Sequence, residues 1–125
     1  MNEKIAVLVV EPEKAPYIKK IDPGLKPLQR EVGGDIQAIY PFPEPVAIVC
    51  NENGKLDGLP LNRAIRDEGG KAYVIIAGTF LVVGLGDEDF ASLSPELIQQ
   101  FTRLYQKPEV FLRINGSIVV LPMED

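Results

Sequence analysis

The chain has no histidine, no tryptophan and a single cysteine, and its thirteen Lys and Arg are outnumbered by eighteen Asp and Glu. Without histidine the commonest general base, the commonest metal ligand and every Ser-His or Cys-His pair are missing, which removes most familiar hydrolase chemistry. One cysteine excludes an intramolecular disulfide and points to a reducing compartment. Cys50 closes the apolar run VAIVC, where a buried structural thiol is expected rather than a nucleophile. A net charge of -5 with no run of lysines or arginines argues against long nucleic acid as a partner, although a small anion can still bind locally. No apolar stretch approaches the roughly eighteen residues of a membrane span, and the apolar part of MNEKIAVLVVEPEK is too short for a signal peptide. The expectation is a soluble, cytoplasmic protein with no membrane association.

What is present describes an ordinary globular chain. Its 125 residues, 46% hydrophobic and 25% charged, fit one domain with one packed core that needs neither metal nor disulfide to fold. Residues 4–10, KIAVLVV, read as a strand buried on both faces. YIKKI at 17–21 reads as a short strand with Tyr17 or Ile18 turned inward, ended by Asp22-Pro23-Gly24. Pro27 suits the first turn of a short amphipathic helix with Leu25, Leu28 and Val32 on one face and Gly33-Gly34 at its end. DIQAIYPF at 35–42 alternates as a strand burying Ile36, Ala38 and Tyr40.

VAIVCN at 46–51 is a central-strand candidate. Asn53-Gly54 signals a hairpin that returns KLDGLPL alongside it. Residues 72–84, AYVIIAGTFLVVG, form one bent strand or two, with Gly78 at the bend, and mark the centre of the core. Ser94-Pro95-Glu96 carries the order of an N-cap, a pre-set first turn and an acid near the positive helix end. Leu97, Ile98, Phe101, Leu104 and Tyr105 then share a helical face until Pro108. VFLRINGSIVVLP at 110–122 is a hairpin around Asn115-Gly116 with large apolar groups on both faces, so either it is a central hairpin or one face awaits a partner. The fold class is α+β, a mainly antiparallel sheet with two short-to-medium helices on one side of it and a C-terminal β-hairpin. We read 1–125 as a single domain, with a core over 1–107 and a hairpin extension over 108–125.

Three motifs fail on inspection. Asp87, Glu88 and Asp89 lack the spacing and glycine of a calcium loop, so no metal is expected. Gly84-Leu85-Gly86 has aspartate at 89 where a dinucleotide fingerprint needs glycine, and Gly69-Gly70-Lys71 lacks the hydroxyl residue of a phosphate loop. Glu44 with Glu52, or Asp57 with Asp67, would form an acid-base pair only if the fold joined them. No catalytic constellation and no cofactor is assigned.

The polar segment NENGKLDGLPLNRAI, 51–65, and its neighbours hold the candidate ligand site. Arg63 and Arg66 offer forked donors for carboxylate or phosphate, Asn62 offers donor and acceptor, and Gly58 permits close approach. Tyr40 and Phe42 supply faces for a ring, and Thr79 a hydroxyl. The competing structural account makes Asn62 a turn cap, pairs Arg63 with an acid such as Glu44 or Asp67, and puts Tyr40 in the core.

The ordered set VLVVEP, VGGDIQAIYPF, NENGKLDGLPLNRA and AGTF resembles a small domain-of-unknown-function family of Firmicutes, their phages and other mobile elements. The likeness spans about residues 4–105 and leaves out the C-terminal hairpin. It implies an accessory protein of phages or mobile elements and carries no activity. On that setting, the leading expectation is a non-enzymatic module that binds or sequesters a small anionic, nucleotide-like ligand such as a host defence signal, as a homo-oligomer joined through the hairpin. The alternative is a protein-protein interaction module that inhibits a host factor through the hairpin or the acidic face.

Overall fold

In the computed structural model, which describes residues 3–67 and 69–123, the run KIAVLVV forms β1 (Ile5–Val10). Val7, Leu8, Val9 and Val10 are at most 1% exposed, because successive side chains alternate between two covered sheet faces. β2 (Tyr17–Ile21) runs antiparallel beside it as an edge. Only Ile21 is buried there, whereas Tyr17 and Ile18 are both exposed, contrary to the expectation that one of the two turns inward. An edge strand has no second neighbour to cover it, and the Tyr17 hydroxyl instead donates to Glu11 Oε2 at 2.7 Å, which pushes the phenol up to about 12.

Helix α1 (Leu25–Val32) buries Leu28 and Val32 but leaves Leu25 exposed, and Gly33 closes it in the left-handed conformation with its N–H on Gln29 O at 2.8 Å. β3 (Ile36–Ile39) pairs with β4 (Val46–Asn51), all six of whose residues are buried. Two strands arise from 72–84. β6 (Ala72–Ala77) and β7 (Phe80–Leu85) diverge at Gly78, whose φ of 82° favours glycine. β7 lies at the middle of the main antiparallel sheet, ordered β2-β1-β7-β4-β3, and β8 (Phe90–Ala91) adds to its far end.

β5 (Leu61–Arg66) pairs with β6 in a separate two-stranded sheet, not with β4. The hairpin expected at Asn53-Gly54 is therefore replaced by a wound loop over 52–58, closed by Asp57 N–H on Asn53 O at 2.8 Å and Leu59 N–H on Gly54 O at 2.9 Å. Helix α2 (Pro95–Leu104) starts as its cap residues predict, with Leu97 N–H donating to Ser94 Oγ at 3.3 Å. β9 (Glu109–Ile114) and β10 (Ser117–Pro122) form the C-terminal hairpin, and Asn115 and Gly116 take the positive φ values, 50° and 82°, of its turn.

Two core clusters divide the layers. Val7, Val9, Ala47, Val49, Leu81 and Val83 face α1, whereas Leu8, Val10, Ile48, Phe80 and Val82 face Phe101 and Tyr105 together with Ile65 and Ile76 of the β5–β6 sheet. The helices thus cover opposite faces of the main sheet, not one side of it. Each face of a sheet buried in its middle needs its own apolar layer, and β5–β6 is too narrow to cover one without α2. Among the described residues the fold is α+β, with antiparallel sheets, two helices and a terminal hairpin.

Candidate functional site

Asn62 and Arg63 are adjacent on β5, and on a regular strand their side chains would point to opposite faces. A register shift between Leu61 and Arg63 makes Asn62 the extra residue of a bulge, so both side chains turn inward. They are 0% and 1% exposed. The Asn62 amide donates to Val10 O at 2.8 Å and Gly78 O at 2.9 Å, and its Oδ1 accepts from Arg63 Nη1 at 2.7 Å. Arg63 Nη2 donates to Lys14 O at 2.7 Å and to Tyr105 O at 2.8 Å, the carbonyl at the end of α2. Together the pair ties β1, the 11–16 loop, the Gly78 bend and the α2 terminus to β5.

No carboxylate among the described residues forms an ion pair with Arg63, so the expected partners Glu44 and Asp67 do not neutralise it. Its Nε is buried without a hydrogen-bond partner. Burial pulls the guanidinium below its ordinary range, and the field of Glu109 opposes that shift. Glu109 Oε1 accepts from Ala64 N–H at 2.8 Å, and its Oε2 stands 3.8 Å from the Arg66 guanidinium.

Beside this knot opens a cleft of about 540 Å³. Phe42, Phe101, Leu104 and Tyr105 supply apolar lining, with the Phe42 and Phe101 rings 4.8 Å apart and tilted by 58°. Among the described lining residues, Glu44, Asp67 and Glu109 balance Arg63, Arg66 and Lys107 in number, in a chain of net charge -5. Gln100 Nε2 donates to Glu44 Oε2 at 2.8 Å, placing an amide and a carboxylate side by side on one wall. Arg66 is held loosely, by Gly70 O at 3.2 Å and by Glu109, with 44% of its side chain exposed.

Of the residues singled out in the sequence, Phe42, Arg63 and Arg66 line this cleft. Asn62 lies behind it with both amide hydrogens engaged. Tyr40 is 61% exposed and falls in a different depression with Leu85 and Phe90, so it is neither core nor part of the cleft. Proline at 41 ends β3 one residue before the alternation would have buried it. Thr79 is half-buried at the Gly78 bend and lines no part of the cleft. Glu44 and Asp67 share the cleft, while Glu52 borders a separate depression beside Cys50 and Asp57 lies in the 52–58 loop, so neither anticipated acid pair forms. Cys50 is buried, and desolvation pushes its thiol up.

Lys107 and Glu109, which also line the cleft, carry no site signal in the sequence. Lys107 follows α2, whose Phe101 and Leu104 also line the cleft, and Glu109 opens β9, which contacts β5. No local pattern signals that contact. A family model described as a domain of unknown function, DUF3846, matches residues 4–106. No curated protein and no solved structure matches the chain.

Proposed function

We propose, from the premise that the chain belongs to the domain-of-unknown-function family DUF3846, that it is a non-enzymatic module whose cleft holds a small anionic ligand with a planar ring. The observation that carries this is the cleft itself. Its volume falls within the roughly 300–1,000 Å³ of small-molecule sites, and it sets an aromatic wall against two displaceable cations. Phe42 would stack on the ring, and Arg66 and Lys107 would meet the anion. The Gln100–Glu44 pair would read exocyclic or sugar donors. Arg63 contributes field rather than contact, because its two terminal nitrogens are committed to backbone and Asn62 oxygens.

The ligand we favour is nucleotide-like, such as a host defence signal. In the setting of Firmicutes phages and mobile elements that the sequence resemblance implies, sequestration requires tight binding and no turnover. That role suits the described lining residues, among which Tyr105 is the one hydroxyl side chain and none carries a thiol.

The test is mass spectrometry of small molecules released by heat from protein that has been incubated with the small-molecule fraction of phage-infected cells and washed. Wild-type protein is expected to release a stoichiometric anionic species with an aromatic ring. The Phe42→Ala/Arg66→Ala double variant is expected to release none while keeping its circular dichroism. Release of nothing by folded wild-type protein overturns the proposal.

A further inference from the structure

The β9–β10 hairpin takes no part in either core cluster, although most of its residues are apolar. Its register puts Val110 opposite Leu121, Leu112 opposite Val119 and Ile114 opposite Ser117, so these six share one face. The other face carries Glu109, Phe111, Arg113, Ile118, Val120 and Pro122, and Glu109 ties it to β5. The first face is left open, with Leu112, Ile114, Val119 and Leu121 exposed by 41%, 50%, 37% and 46%. A lone two-stranded ribbon is marginal in water, so a chain that maintains one with an aliphatic face needs something to cover it.

We infer that a second copy of this chain covers it, the two ribbons packing face to face about a twofold axis through their aliphatic sides. The charge distribution selects this occupant. From 110 to 122 the sole charged residue is Arg113, which belongs to the opposite face, whereas the whole chain carries -5. A basic partner would be drawn to the carboxylates elsewhere. A second copy presents an identical uncharged face, so the two acidic bodies meet where no carboxylate has to be desolvated. Two ribbons can pack at the roughly 10 Å spacing of stacked sheets with their aliphatic side chains interleaved.

The area sets the strength. A face six residues long and two strands wide measures roughly 20 Å by 10 Å. Two such faces bury well under the ~1,200 Å² at which stable assemblies begin. The dimer is therefore an exchanging one, with dissociation in the micromolar range or weaker.

Sedimentation velocity on the full chain from low micromolar to several hundred micromolar tests this. The weight-average mass of wild-type protein is expected to rise from one chain toward two. Leu112→Glu/Val119→Glu is expected to stay at one chain throughout with an unchanged circular dichroism spectrum. Arg113→Glu, on the other face, should associate like the wild type. A wild-type mass of one chain at every concentration overturns the inference and leaves the face to a host protein or a lipid surface. An association that survives in the double variant overturns it as well.

Discussion

Asn62 and Arg63 have the appearance of ligand-binding groups in the sequence and the behaviour of fasteners in the fold. The residue types are right for either use, since an amide and a guanidinium recognise carbonyl oxygens as readily as a ligand's. What decides between the uses is a one-residue bulge that turns both inward, and a bulge depends on the partner strand, which is not visible locally. Removing Arg63 would leave Lys14 O, Tyr105 O and Asn62 Oδ1 short of a buried donor. Each unsatisfied buried acceptor costs about 1–3 kcal/mol. Arg63→Met is therefore expected to lower unfolding stability by about 3–5 kcal/mol, read from urea denaturation. Arg66→Ala, at an exposed position, should change it by less than about 0.5 kcal/mol. Equal, small effects from both would show that Arg63 is not a fastener. For the same reason, loss of ligand in an Arg63 variant would say little about contact, and Phe42 and Arg66 are the better probes.

Two Asn-Gly pairs invite the same expectation of a hairpin, and only one becomes a hairpin. Asn115-Gly116 joins two strands that pair in register, and both residues adopt positive φ. Neither Asn53 nor Gly54 does so. There Asn51 Oδ1 accepts from Asn53 N–H at 2.8 Å while the Asn51 amide donates to Val32 O at 3.2 Å, so an asparagine at the end of β4 both starts the loop and caps α1. β4 already has β7 and β3 at its two edges, which leaves no edge for the returning chain. Turn chemistry is local and readable; strand partnership is not. Gly54 accordingly serves space rather than φ, since a Cβ there would sit 2.6 Å from Ala77 O, a backbone atom of β6 that cannot swing aside. Gly54→Ala is expected to unseat the 52–58 loop from β6 at a cost of about 1–3 kcal/mol, measured by thermal unfolding. Gly58→Ala provides the contrast, because nothing lies within 4 Å of its missing Cβ and only its φ of 72° opposes the change. If Gly54→Ala proved neutral, the loop would not be seated as described.

For the whole molecule, the apolar runs and helix caps announced most elements, because each depends on periodicity and end chemistry within a few residues. The layer order was not announced. Valines and isoleucines that fill every position of β1, β4 and β7 fit either face equally, so the sequence does not say that α1 and α2 lie on opposite sides. The resulting architecture is graded in cohesion. β7 has a strand on each edge and a packed layer on each face, whereas among the described residues β9 and β10 have only each other as ladder partners. Opening the hairpin exposes little that is not already exposed, while opening β7 requires both layers to part, so the two should exchange amide hydrogens by different routes. In dilute solution, amides at 81–83 and 47–49 are expected to exchange through global unfolding. Ladder amides of 111–120 should exchange through local opening, at rates insensitive to low denaturant. Raising protein concentration should slow the second group, because a second copy covers the hairpin and binding to the closed form suppresses its opening by mass action, while the globally exchanging amides slow by no more than the same factor. Equal protection of both groups in dilute solution would mean that the hairpin is held to the body more firmly than its contacts with β5 provide. Exchange at 111–120 that ignored concentration would separate the hairpin's independence, which would stand, from its self-association, which would not.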